Sequence, residues 1–451
     1  MDAGNWTADL ICRSKRFLRW PNRILGPTPG LKEINLACWA LFAALTITRF
    51  CIPVWLQFKA GRGSIPLLPD DFVYFYGIGH IVKEYPAVRL YDYSLQQKIF
   101  NGIYPFPKFA YGPSPYPPFV ALFFSLFAQL SFRLAFFLWT LVSLVLYMVG
   151  IAAPANDIFP GDRIKVSLIL CLAVAFYPYF WGILVNGQLT AVAVCSVGLA
   201  ILQERHAKPF SSGLALSILA YKPTLLLLLL PMLFLTRRYR ALAGFMTGTL
   251  VLLLVSTAFG GIQIWPVYAH FLSLFGRVAG LDGQRALELW KYIDIGSCLE
   301  AVSGGGSRAE LLILTPLVTL IAAALAVLLW KSATGGRPAQ SLAWAATLTW
   351  TLLLNVYMPM YDSVLVTIPV VLTLGALKDL EWNAAMYWMT VLSILIFAVS
   401  WVTYAIAKSH GIQLLSISLA VLGLAQLYLL YRVNRKKLPE EASELLQGQR
   451  A

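Results

Sequence analysis

Long apolar stretches separated by short polar or charged breaks recur from Asn35 almost to the C-terminus. A helix needs about 20 predominantly apolar residues to cross the hydrocarbon of a bilayer, and these stretches are too many and too long to be buried core helices. The first predicts a span from about Asn35 to Gln57. After Arg240 the pattern is regular and predicts spans near Ala241 to Phe259, Leu311 to Trp330, Leu342 to Asn355, Val364 to Leu377, Ala385 to Ala407 and Gln413 to Tyr431. By span length the chain reads as an all-α polytopic membrane protein with about 12 transmembrane helices, two of them short. No internal repeat is visible.

The polar breaks sort by charge. Lys and Arg favour the cytoplasmic side, so residues 1–34, with Arg13, Lys15, Arg16, Arg19 and Arg23, read as a basic cytoplasmic segment. No small-residue cleavage site follows them, which argues against a signal peptide. Residues 35–432 form the membrane domain on this reading, and 433–451 a cytoplasmic tail. Two long polar segments, about 58–118 and 261–310, read as large external loops. In the first, Asp71 to Tyr85 and Ser94 to Phe100 predict short helices lying on the membrane.

Between these loops the charges choose a topology. If every apolar stretch spans, Phe119 to Leu130 and Leu134 to Ile151 form a pair that leaves Arg205, His206 and Lys208 outside, against the positive-inside rule. If Tyr116 to Leu130 instead lies at the external interface, Leu134 to Ile151 runs inward. Asp162, Arg163 and Lys165 are then cytoplasmic, Asn186-Gly187-Gln188 is external, and Glu204 to Lys208 is cytoplasmic again. Ser211 to Leu235 now has both flanks inside, Lys208 and Arg237-Arg238-Arg240, so it must turn back. Tyr221-Lys222-Pro223 is the natural apex, because proline breaks a helix there. A straight helix would leave Lys222 about 20 Å from either end at ~1.5 Å per residue, beyond the reach of a snorkelling lysine.

Composition agrees with the membrane class: 59% of residues are hydrophobic and 12% charged, against about 25% charged in a soluble domain. Mean hydropathy is +0.70. The net charge of +14 lies mostly in short basic clusters beside apolar segments. Positive-inside topology and anionic lipid account for it better than nucleic acid does, so membrane lipid is an expected partner and nucleic acid is not. The six cysteines show no CxxC or Cys/His spacing, which predicts neither a disulfide framework nor a zinc site. No Walker-type phosphate loop is present. No cofactor is expected, and the sequence leaves open whether a divalent metal assists.

Candidate chemistry gathers on the external face. The stretch Pro69 to His80 carries Asp70 and Asp71 with Phe72, Tyr74, Phe75 and Tyr76 just beyond the first span. Acids beside a bilayer are costly to desolvate, so the pair is a candidate site, with helix capping by Asp71 as the plainer alternative. Asn186-Gly187-Gln188 offers two amides but is also a good turn sequence. Lys222, at a helix break within apolar sequence, needs an anion or a carboxylate partner. Tyr361-Asp362 follows Pro359 at the start of a span, where capping again competes. Tyr74, His80, Arg285 and Lys291 complete the substrate-binding candidates. A carboxylate base, a buried cation and a membrane together suit transfer of a sugar from a polyprenyl phosphate. The base takes a proton from the acceptor hydroxyl and the cation steadies the departing lipid phosphate.

The order Asp71-Phe72 with Tyr74 and Tyr76, Leu90-Tyr91-Asp92, Tyr116-Pro117-Pro118, Gly187-Gln188, Lys222-Pro223 before a Leu-rich run, Arg237-Arg238 and Tyr361-Asp362 resembles glycosyltransferase family 87. The likeness runs from about residue 35 to 380 in short ordered motifs. It implies the GT-C architecture of membrane glycosyltransferases and mannosyl transfer from a polyprenyl-phosphate donor to a glycolipid or glycan, usually with inversion. It also implies a bacterial inner membrane with the site on its extracytoplasmic side. Asp71 matches the family's first-loop aspartate, the expected general base, and Lys222 a lysine expected near the lipid phosphate. Some members carry a histidine where this chain reads Met358-Pro359-Met360-Tyr361-Asp362. Two other readings stay open: a GT-C enzyme using another lipid-linked sugar such as arabinose, and a transporter or lipid flippase. Transporters tend to show inverted repeats and paired broken helices, whereas one break is visible here.

Overall fold

A computed structural model of the chain describes residues 31–51, 70–103, 111–276, 288–303 and 308–448. Residues 1–30 of the N-terminal basic segment, 52–57 at the end of the first predicted span, 58–69 of the first loop, and Arg277, Asp282 and Arg285 of the second lie outside the described residues. The architecture is all-helical. Its first half comprises α1 (Leu31–Thr46), α2 (Asp70–Glu84), α3 (Tyr93–Ile103), α4 (Pro118–Phe127), α5 (Phe132–Ile158), α6 (Arg163–Val174), α7 (Thr190–Arg205), α8 (Pro209–Ser217) and α9 (Leu229–Leu235). The second half comprises α10 (Tyr239–Gly260), α11 (Ile264–Gly276), α12 (Ile295–Ser303), α13 (Arg308–Ser332), α14 (Arg337–Leu353), α15 (Thr367–Asp379), α16 (Asn383–His410) and α17 (Leu414–Gly448).

Six of the described helical segments are long and apolar enough to cross a membrane: Phe132–Ile158, Tyr239–Gly260, Leu312–Ser332, Met360–Asp379, Asn383–His410 and Leu414–Arg435. A seventh arises if α6 and the π-helical turn Tyr179–Val185, bent by 72° between them, count as one span. Against the expectation of about twelve, the described residues hold six or seven helical segments of spanning length. Other described apolar helices are shorter, 16 residues in α7, 17 in α14 and seven to ten in α4, α8 and α9. Pro117 and Pro118 start α4, which is only ten residues long and at ~1.5 Å per residue covers about 15 Å, too little to cross. Phe123 and Leu126 face outward from it, as an interfacial helix requires.

Apolar helices here distinguish their faces by size and packing. On α5, Leu134, Phe137, Leu141, Val145 and Val149 are exposed, whereas Ala135, Trp139, Ser143, Tyr147, Gly150 and Pro154 are buried, a spacing of three and four on each side. The exposed row suits lipid and the buried row suits other helices. Gly150 of α5 meets Gly198 of α7 so closely that a Cβ at Gly198 would strike the Gly150 carbonyl.

Contacts sort the helix ends into two groups. Asp157 near the end of α5 pairs with Arg205 and His206 at the end of α7, so α5 and α7 run the same way. Lys378 at the end of α15 donates to the Ile158 carbonyl at 3.0 Å. Glu204 pairs with Arg238 at 3.0 Å, Arg237 lies over Trp330 and Arg432 over Trp382. The basic turns therefore share one end of the bundle. Glu204–Arg238 also ties together the two ends of the segment from α8 to α9. α8 runs parallel to α10, with Gly213 against Ala241 and Ser217 against Gly248, so the intervening chain travels out and α9 returns. Its apex reaches the opposite end, where Asn355 donates to the Thr224 carbonyl at 2.8 Å.

Helices α2 and α3 fall where the sequence places them, but α2 does not lie on a surface. Phe72, Phe75, Ile78 and Ile81 are buried, Phe75 stacks on Phe124 of α4 at 5.3 Å, and a Cβ at Gly79 would meet the Phe124 backbone. Between its charged ends the helix is apolar on most of its surface, and such a stretch belongs in an interior. Asp92 caps α3, accepting from Leu95 N at 3.2 Å and Ser94 Oγ at 2.6 Å. The Arg89 guanidinium, hydrogen-bonded to it, holds the Asp92 carboxyl down to about 2.

Candidate active site

Four segments meet at the end of the bundle away from the basic turns. The first is the start of α2, where Asp70 and Asp71 are the opening helical residues. Asp71 lies within the first turn rather than at the cap position before it. The positive end of the helix dipole favours a carboxylate there. Phe72 N donates to the Asn186 carbonyl at 3.0 Å, fixing this helix start against the second segment.

That second segment is the turn Asn186-Gly187-Gln188. Gly187 has φ +75 and sits where a Cβ would come within 2.9 Å of the Phe72 Cβ, so both its backbone and its lack of side chain are used. Trp139 Nε1 donates to the Gly187 carbonyl at 2.7 Å. Gln188 is 5% exposed. The turn holds α2 through its backbone and leads directly into Thr190, the first residue of α7.

The third segment is the apex around Lys222, an extended residue (φ −139, ψ 80) between the 3-10 turns Ile218–Tyr221 and Pro223–Leu226. The fourth is the 3-10 turn Met360–Val366. Lys222 Nζ forms an ion pair with Asp362 Oδ2 and lies 5.1 Å from the centroid of the Tyr361 ring. Thr190 Oγ1 donates to the other carboxylate oxygen, Asp362 Oδ1, at 2.8 Å. The Asp362 side chain has 0% exposure and that of Lys222 19%. Asp362 is thus enclosed with both oxygens bonded, while part of Lys222 remains reachable.

The turn from Asn186 to Thr190 joins the two ends of this arrangement, bonding the start of α2 at Phe72 and the Asp362 carboxylate at Thr190. Burial first, then the carboxylates of Asp71 and Asp362, raise the Tyr116 phenol above its ordinary value. Tyr116 is held by its carbonyl, which accepts from Tyr91 Oη at 2.9 Å. Behind Tyr361, the second loop clasps the chain. Ile293 N donates to the Met358 carbonyl at 2.9 Å, and Asp294 Oδ2 accepts from Met358 N at 2.8 Å and from Ser297 Oγ at 2.8 Å. Burial pushes the Asp294 carboxyl up, and these hydrogen bonds pull it partly back.

Of the candidates read from the sequence, Asp71, Lys222, Tyr361 and Asp362 come together, with Asn186 behind the start of α2. Tyr74 accepts from Gly112 N at 3.1 Å and packs edge-on against Phe100 and Tyr111. His80 is nine residues further along α2, about 14 Å away at ~1.5 Å per residue. Lys291 is exposed, paired with Glu288 and set over Trp290. Arg285 lies outside the described residues, and of Asp70 only the helical position is described. Thr190 and Asp294 were not anticipated. Asp294 had a signal, an aspartate three residues before Ser297 at the head of an apolar run, whereas Thr190 had none. Among the described residues no three His, Cys, Asp or Glu side chains gather as a metal-ligand set.

Compared with known protein families, residues 115–359, more than half of the chain, match the family described as Glycosyltransferase family 87. The matched interval contains Thr190, Lys222 and Asp294 and excludes Asp71 and Asp362. No curated protein and no solved structure matches the chain significantly.

Proposed function

Since this chain belongs to glycosyltransferase family 87, we propose that it moves a sugar, mannose before any other, from a polyprenyl-phosphate donor to a glycolipid or glycan acceptor. The reaction runs at the extracytoplasmic face of a bacterial inner membrane, in a GT-C architecture. The observation that carries this reading is that Lys222, paired with Asp362 and set against the Tyr361 ring, is joined through Thr190 and the Asn186 turn to the helix start that carries Asp71, at the end of the bundle opposite the basic turns. Positive turns favour the cytoplasm, which supports an external site, where a lipid-linked sugar would serve in place of a nucleotide sugar.

In this mechanism Asp71 is the general base. Its carboxylate takes the proton of an acceptor hydroxyl as that oxygen bonds to the anomeric carbon. The bond from the anomeric carbon to the phosphate oxygen breaks, and its electron pair leaves with the lipid phosphate, giving inversion. Lys222 presents its ammonium to that phosphate as charge builds on it. Asp362 cannot share the role of base, because it has no exposed surface.

Asp71→Asn tests this. It keeps size and hydrogen bonding but cannot accept a proton, so transfer from radiolabelled polyprenyl phosphate mannose should fall by about a hundredfold or more while donor binding persists. Near-normal transfer by Asp71→Asn would remove Asp71 from the mechanism. Wild-type protein that transfers arabinose but not mannose would keep the reaction class and change the sugar.

A further inference from the structure

Lys222 does not wait for a substrate uncompensated. Asp362, fully enclosed, occupies one of its donors, and Thr190 fixes the far oxygen of that carboxylate. An ammonium has three N–H groups, so Lys222 can keep this bond and still offer the other two to a phosphate. The ammonium proposed to meet the donor phosphate is thus already matched by a carboxylate, in a site proposed to receive an anion.

The reaction itself gives this pairing a use. A glycosyl phosphodiester donor carries one negative charge. After transfer the leaving lipid is a phosphate monoester, with about −1.5 to −2 charge near pH 7. A lone ammonium would therefore hold the product more tightly than the donor, and the enzyme would stall on its own leaving group. A carboxylate fixed behind the ammonium opposes both ligands but opposes the more charged one more. It weakens product binding relative to donor binding.

Resting on the donor reading above, we infer that Asp362, braced by Thr190, is a positioning residue. It holds Lys222 at the phosphate position and, by competing for the ammonium, keeps the site from retaining the phosphate monoester product. Asp362 touches neither donor nor acceptor. It acts through Lys222, and the 3-10 turn that carries it is anchored by Asp362 N donating to the Pro359 carbonyl at 3.0 Å.

The test compares two defined lipids on the full-length protein in detergent: a short-chain polyprenyl monophosphate, and its methyl diester, which has the charge of the donor. Wild-type protein should bind the two with similar affinity. Asp362→Asn should shift the preference toward the monoester by about tenfold, the size expected from removing a charge several ångströms away at an effective dielectric of ~20. Thr190→Val takes a hydrogen bond from the carboxylate, concentrates its pull on Lys222 and should move the preference the opposite way by about two- to threefold, and Thr190→Ser should restore the wild-type ratio. A merely structural ion pair would change stability in these variants without changing the ratio. An unchanged ratio in Asp362→Asn overturns the inference. Should that variant not fold, Thr190→Val, which removes no charge, decides the matter: a ratio that is unchanged or moves toward the monoester overturns it. Wild-type protein that binds neither lipid overturns the donor reading and takes the inference with it.

Discussion

A lysine at a helix break in apolar sequence must find an anion, and Lys222 has found Asp362, 140 residues away. This changes what its removal does. Lys222→Met leaves the enclosed Asp362 charge without its partner, a loss of about 3–5 kcal/mol, and also removes the cation proposed for the donor phosphate. Thermal stability and transfer should therefore fall together. Combining Lys222→Met with Asp362→Asn should return most of the stability but not the transfer, and a double variant that regains both would show the pair to be structural only. The sequence carried the need for a partner but not the choice, because pairing across 140 residues leaves no spacing to read. Thr190 is a further case, an ordinary helix-opening threonine until Asp362 arrives beside it. Leu90-Tyr91-Asp92 shows the converse. It is legible as a motif, yet its aspartate caps α3 and its tyrosine packs on Tyr268 and Phe271 of α11, so its work is to hold the loop that carries Tyr116.

Among the elements, the crossing of α5 and α7 depends on the absence of side chains. Gly198→Ala would push a methyl group into the Gly150 carbonyl, and the two helices would part at a cost of about 1–3 kcal/mol. Gly102 in α3 has nothing within 4 Å of the position a Cβ would take, so Gly102→Ala should be neutral or slightly stabilising. Melting the two variants side by side checks both, and equal stability would argue against the close crossing. The apolar stretches and their breaks were readable from the start, as was the proline-marked apex at Lys222. Burial of α2 was less so. Its polar neighbourhood suggested a surface, while its own middle stretch, mostly apolar from Phe72 to Val82, belonged inside beneath α4. Where a loop contains its own buried helix, local polarity and tertiary packing point in different directions, and packing decides.

Across the whole molecule, the basic turns and the site occupy opposite ends, and this can be measured. In a cysteine-free background, a cysteine at exposed Ile262, beyond the end of α10, should react with an impermeant thiol reagent in intact cells, and one at His206 should be shielded. Gln188 would be a poor reporter, since the fold buries it. Reversed labelling would turn the proposed topology over. The span count was the weakest part of the sequence reading, because hydropathy cannot separate a crossing helix from the short arms of a segment that returns. The long reach between Lys222 and Asp362 has a last consequence, one of time. At about 5–20 residues per second of synthesis, some 7–30 s pass between the two emerging from the ribosome. During that interval the ammonium is made and its carboxylate is not. A straight span would hold the unpaired charge in hydrocarbon throughout, whereas the apex of a returning segment can leave it at the hydrated rim until Asp362 has been made.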